Sequence, residues 1–98
     1  MITSLKTSEG YIFAVSEWWV CNVNGHLQDD GEYCQVREMW IHPAHRSVST
    51  LREIVHKMNN DKFMLNVKWV YWRRDKYEKI SKLFPRERFI KEMSYGRQ

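Results

Sequence analysis

The run Gln35-Val36-Arg37-Glu38-Met39-Trp40-Ile41-His42-Pro43-Ala44-His45-Arg46 constrains this chain more than any other. Residues 35–41 read as a strand, and Pro43 ends it because proline cannot donate to a β-ladder. Arg46 follows, then a short polar segment opens an amphipathic helix. Thr50 and Glu53 have capping-box spacing. Leu51, Ile54, Val55 and Met58 then recur at i, i+3, i+4 and i+7, the pattern of one apolar helix face. A strand, turn and helix in this order bring unpartnered helix-start N–H groups beside a strand end, where an anion can sit.

The flanking segments extend the pattern. Residues 11–15 follow Gly10 and read as a strand, and residues 18–23 read as a second, alternating strand. Asn24-Gly25 is a turn signal, and Gln28-Asp29-Asp30-Gly31 is a second one. Residues 67–72 are β-branched and aromatic and predict a strand. Asp75 and Glu78 repeat the cap spacing, Tyr77, Ile80 and Phe84 form a short helical stripe, and Pro85 stops it. Residues 88–93 read as a final strand. The expected order is β-β-β-α-β-α-β, an α+β (α/β-like) domain covering residues 1–98. Its sheet is mixed and mostly antiparallel, with two helices and a crossover through the first of them.

Net charge is +4 and the pI is about 9.2, with the cations gathered late, from Arg73 to Arg97. That bias suits a phosphate-bearing ligand, a nucleic acid or an acidic protein, and does not separate them. No run is apolar and long enough to span a membrane, and residues 1–8 lack the core of a signal peptide. Cys21 and Cys34 are therefore expected as free thiols in a cytoplasmic protein. Cys21, His26, Cys34, His42 and His45 lack zinc-knuckle spacing, so no metal site is expected.

The order Glu38, His42-Pro43, Arg46, helix resembles the central motif of the GCN5-related N-acetyltransferases, the acetyl-CoA-dependent GNAT superfamily. The resemblance is good as far as Arg46. The family's loop then carries two small residues, the first a glycine, where this chain has Ser49 and Leu51. Lys76-Tyr77-Glu78-Lys79-Ile80 resembles the family's Phe-Tyr-Glu-Lys-Leu helix, with Lys76 replacing the Phe and the family's upstream Asn absent. With the glycine-poor loop, the run Tyr71-Trp72-Arg73-Arg74 looks like the compact acetyltransferase-like proteins of bacteriophages. That resemblance covers about residues 32–92.

The resemblance implies a minimal core without the family's N-terminal helices, and direct acyl transfer from acetyl-CoA to an amine. Arg46, Ser47, Val48, Ser49, Thr50 and Leu51 would meet the CoA pyrophosphate. The strand Met39-Trp40-Ile41 would splay from its neighbour to take the pantetheine arm, with an N–H near Trp40 or Ile41 polarising the thioester carbonyl. Glu38 would draw the proton from the amine, Tyr77 would protonate the leaving thiolate, and Arg73 and Arg74 would reach the CoA 3′-phosphate or an acidic substrate. Glu38 in a salt bridge, with Arg37 or Arg74, and Tyr77 as a core residue are the alternatives. The acceptor is an amine, on a small molecule or a protein, and a phage-encoded member would work in the host cytoplasm or the virion.

Two other classes fit the residues. One is a non-catalytic phage-type interaction or virion protein that keeps the fold and has lost the cofactor. The other is a basic nucleic-acid module using Trp72, Arg73, Arg74 and the late lysines. Trp18 and Trp19 are adjacent, so on a strand they point to opposite faces. One of them is then left for a second copy of the chain, for another protein, or for cover by residues 1–9 or the C-terminal tail.

Overall fold

A computed structural model describes residues 1–72 and 82–95. Five strands form one sheet in the order β1 (Ile2–Lys6), β2 (Ile12–Cys21), β3 (Tyr33–Ile41), β4 (Trp69–Trp72) and β5 (Lys82–Pro85). All neighbours are antiparallel except β3 and β4, which run parallel. Parallel neighbours need a crossover, and α1 (Val48–Asn59) supplies it. The second helix, α2 (Arg86–Tyr95), follows β5 directly. The domain is α+β with a mixed, mostly antiparallel sheet and two helices, as the sequence predicts.

One sheet face is sealed. Leu5, Ala14, Trp18, Val20, Cys34, Val36, Val70 and Phe84 pack there against Ile54, Val55 and Met58 of α1 and Phe89 of α2. Burying this apolar surface is the main favourable term in folding. Trp18 is fully buried, and its indole N–H donates to Thr3 Oγ1 at 2.9 Å. Arg86 ties the two helices together. Its Nε donates to Asn59 Oδ1 at 2.8 Å, and its other nitrogens to the carbonyls of Asn59, Met64 and Val67.

Four elements differ from expectation. Residues 11–15 and 18–23 belong to one strand, β2, that ends at Cys21. Ser16 and Glu17 look like a break, yet Ser16 is buried with its hydroxyl on Met58 Sδ at 3.6 Å, while Glu17 faces out. Strand β1 is unexpected; its short polar sequence gains order from the ladder with β2. The helix α1 starts at Val48, three residues before the expected start, because Ser47 is the cap and accepts the Thr50 N–H at 3.2 Å. Finally, residues 88–93 are helical. On a strand, Phe89 and Ile90 would point to opposite faces; on α2 both lean on the core. Pro85 therefore closes β5 and precedes a helix, and Phe84 belongs to a strand. The rest of the expected second helix, with Tyr77, lies outside the described residues.

The register of β2 on β3 contains one irregularity that matters for the site. Glu17 pairs with Glu38 and Trp18 with Val36, so Arg37 has no partner on β2. This extra residue is a β-bulge, which re-aims the strand beyond it. Before it, Cys34 and Val36 face the helices; after it, Met39 and Ile41 do. Glu38 and Trp40 then stand on the opposite face, both exposed.

Candidate functional site

Among the described residues, strand β3 runs on past its pairing with β4. The two pair only at Tyr33–Trp69, Cys34–Val70 and Gln35–Tyr71, and β4 ends at Trp72. Among the described residues, no strand lies on that side of β3 beyond Gln35. The His42 N–H donates to the Phe13 carbonyl at 2.7 Å. Antiparallel ladders alternate, so Trp40 also bonds towards β2, and the N–H and C=O groups of Met39 and Ile41 turn the other way. The Ile41 carbonyl agrees with this parity, since it accepts Arg46 Nε at 3.0 Å. Two strand N–H groups, of Met39 and Ile41, are thereby aimed at the unpaired side.

A cavity of about 270 Å³ occupies that side, lined by Met39, Trp40, Ile41, Arg46, Leu51 and Trp72. Five of these six were expected from the sequence. Trp72 was expected only as a base-stacking residue; its signal was its place at the end of a strand beside the cleft. Leu51 packs on the core and lines the cavity as well. A space of this size suits a narrow arm better than a bulky ring system.

The turn that delivers Arg46 is held by side chains. His42 Nδ1 accepts the Ala44 N–H at 3.0 Å, which caps the 3₁₀ turn Pro43–His45. The His45 ring stacks on Phe13 at 4.3 Å, tying the turn back to β2. Ser47 follows with extended backbone, and its hydroxyl also lies 3.1 Å from Thr50 Oγ1 and 3.2 Å from Ser49 Oγ. The N–H groups of Val48 and Ser49 have no hydrogen-bond partner among the described residues. So Val48, Ser49, Thr50 and Leu51, expected as a phosphate-cradling loop, form the first turn of a helix instead. The stretch has no glycine, and Ser47 carries the chain straight into α1. What remains for an anion is the helix start with the Arg46 guanidinium beside it.

Glu38 stands one residue before the cavity lining and faces the open side of the sheet, opposite Glu17. It does not pair with Arg37, whose guanidinium lies over the Trp19 ring at 4.6 Å. Trp19 is half-buried, with its indole N–H on Gln35 Oε1 at 2.9 Å. Trp18 is inside the core, covered in part by β1. Tyr77, Arg73 and Arg74 lie outside the described residues.

A larger cavity, about 540 Å³, lies elsewhere, between Ser4, Leu5 and Lys6 of β1, Phe13, and Glu53 and Lys57 of α1. Lys57 Nζ there already donates to the Ser4 carbonyl at 2.7 Å. Both thiols are free and buried. Burial, with a smaller contribution from Cys21, pushes the Cys34 thiol up to about 12. No cluster of three or more His, Cys, Asp or Glu gathers among the described residues, and no described helix is long and apolar enough to cross a membrane.

The fold and the cleft define a small α+β domain in which a strand end and a helix start line one cavity. Comparison with protein-family models, with curated proteins and with solved structures gives no match for this chain.

Proposed function

We propose that the chain binds a CoA thioester in the cleft beside β3 and transfers its acyl group to an amine, as a compact GNAT-like N-acyltransferase. One observation carries this reading. Met39, Trp40, Ile41, Arg46 and Leu51 were singled out by resemblance alone, and they line one cavity. The phosphates would lie against Arg46 and the N–H groups of Val48 and Ser49. The thioester carbonyl would accept from the Met39 or Ile41 N–H, a preorganised donor that strengthens as oxyanion charge develops. The ammonium gives one proton to Glu38, directly or through water. The free amine attacks the carbonyl carbon, the N–C bond forms, the C–S bond breaks, and the thiolate leaves to take up a proton. Tyr77 is the proposed donor of that proton. Much of the acceleration comes from holding amine and thioester together. A cytoplasmic location goes with a CoA substrate and two free thiols.

The test is a thermal melt and a calorimetric titration with acetyl-CoA. A ligand held only by the folded chain raises the melting temperature. Arg46→Ala should weaken binding about tenfold, the loss of one charge-assisted phosphate contact. No shift at millimolar acetyl-CoA overturns the reading. The helix start without glycine favours a second reading, a non-catalytic phage-type interaction protein with a vestigial cleft, and that result would promote it. The basic nucleic-acid module ranks behind both, because Glu17 and Glu38 share the aromatic open face of the sheet.

A further inference from the structure

Both helices, α1 and α2, pack on one side of the sheet. The other side is built largely from aromatic rings. Trp19, Gln35, Tyr71 and Leu83 form a row straight across β2 to β5. Tyr33, Trp69 and Pro85 form the next row, across β3 to β5. The rows are locked in place: the Tyr33 and Tyr71 rings stack at 5.8 Å, and Gln35 Oε1 holds the Trp19 indole N–H at 2.9 Å. A sheet face left to water is normally polar. Here Trp69 is 37% exposed and Leu83 45%. A contiguous apolar patch of this kind marks a contact surface.

Three observations say what covers it. First, the two outer strands are guarded against pairing with another strand. Met1 and Trp18 exchange hydrogen bonds, so the alternating ladder turns the Ser4 carbonyl to the outer edge of β1, where it accepts Lys57 Nζ at 2.7 Å. At the other edge, β5 is four residues long and ends in Pro85. A lysine on one edge and a short, proline-ended strand on the other both discourage strand addition, which leaves the face. Second, the charges beside the aromatic rows are Arg37, lying on Trp19, and the opposed Glu17 and Glu38. The carboxylates repel a polyanion. A patch with both signs suits a partner of the same mixed pattern, and a second copy turned about a two-fold axis has it by symmetry. Third, the outward positions of the five strands, at about 33 Å² each, cover roughly 450 Å² in plan, and large side chains raise the accessible area above that. A specific interface takes about 500 Å² from each copy.

We infer that two copies of this chain pack sheet on sheet through these aromatic faces, as the layers of a sandwich do. Trp69 and Tyr71 lie in the middle of the contact, and Arg37, Glu17 and Glu38 lie at its rim. The dimer is independent of the acyl-transfer reading. Sedimentation velocity, from about 1 to about 200 µM, should show a monomer of 12.0 kDa passing to a dimer with a Kd on the order of 10 µM, the weak end for an interface of this size. Over the same range, hydroxyl-radical footprinting of the unaltered chain should show Trp69 and Tyr71 losing most of their reactivity. Tyr11, exposed between β1 and β2, should keep its own. Leu83→Lys puts an ammonium into the patch at an exposed position and should weaken the dimer at least about tenfold. Leu65→Lys, at an exposed site between α1 and β4, should leave it unchanged. A strict monomer at the top of the range overturns the inference, and so does a dimer in which Trp69 and Tyr71 stay reactive. Equal weakening by the two lysine variants overturns it as well. If the chain stays monomeric while single-stranded RNA protects Trp69 and Tyr71, the face belongs to a nucleic acid and the inference falls.

Discussion

The two halves of β3, before and after Arg37, differ in what lies beside them. In residues 33–35 a strand lies on each side, and Cys34 and Val36 are sealed under the helices. Past the bulge at Arg37, β2 is the one strand alongside among the described residues, and the N–H groups of Met39 and Ile41 turn to the far edge. The first half is shared between two ladders and has less backbone to offer a ligand. The second half is held as firmly by β2, yet leaves one edge and one face unused.

The largest expected effect separates the two regions by stability. Trp18→Ala, in the sealed part, should cost about 3–5 kcal/mol, the range for a large buried aromatic. Trp40→Ala, beside the cleft, should cost under about 1 kcal/mol. Urea titrations give both numbers. Similar losses would break the comparison, because the cleft end would then be part of the core.

Next comes the clamp on the helix side. Arg86→Met keeps the length of the stem and removes donors to Asn59, Met64 and Val67. The carbonyls left behind are partly buried, so a loss of about 3 kcal/mol is expected, with acetyl-CoA affinity unchanged in the fraction still folded. A change in affinity would mean that the clamp and the cleft are coupled.

The last effect is read from pH and builds up gradually, unit by unit. The Cys34 thiol has an ordinary value of 9.0 and stands at about 12 in the folded chain, chiefly through burial. Below pH 9 the thiol is protonated in both states and its contribution is complete. Between 9 and about 12 the unfolded chain releases the proton and the folded chain keeps it. Stability therefore falls as pH rises through that window, by at most about 1.4 kcal/mol per unit. Cys34→Ala should flatten this alkaline slope. A slope unchanged by the substitution would show that other groups set it.

The elements that frame the cleft were legible before any coordinates, because their signals are local, while the residues named for the site came from resemblance. Proline after the strand, serine and threonine at a helix start, and the spacing of Leu51, Ile54, Val55 and Met58 each act within a few residues. The errors share one cause. Phe89-Ile90 could satisfy either period over so short a run, and the core beneath α2 decided in favour of a helix. Ser47 and Thr50 both have capping chemistry, and the absence of glycine let the helix begin at the first of them. Strand β1 carries almost no signal of its own; it exists because β2 offers a ladder and Trp18 needs cover.

By itself the sequence determined the element types around Arg46 and the α+β class. Those follow from short-range backbone and side-chain preferences, which do not depend on what lies far along the chain. Only the tertiary structure decided that β3 carries a bulge at Arg37 and that Glu38 faces Glu17 rather than the helices. Register and strand length are set between elements, by packing and hydrogen bonding across long separations. A shift of one residue there would send every side chain beyond it to the other face.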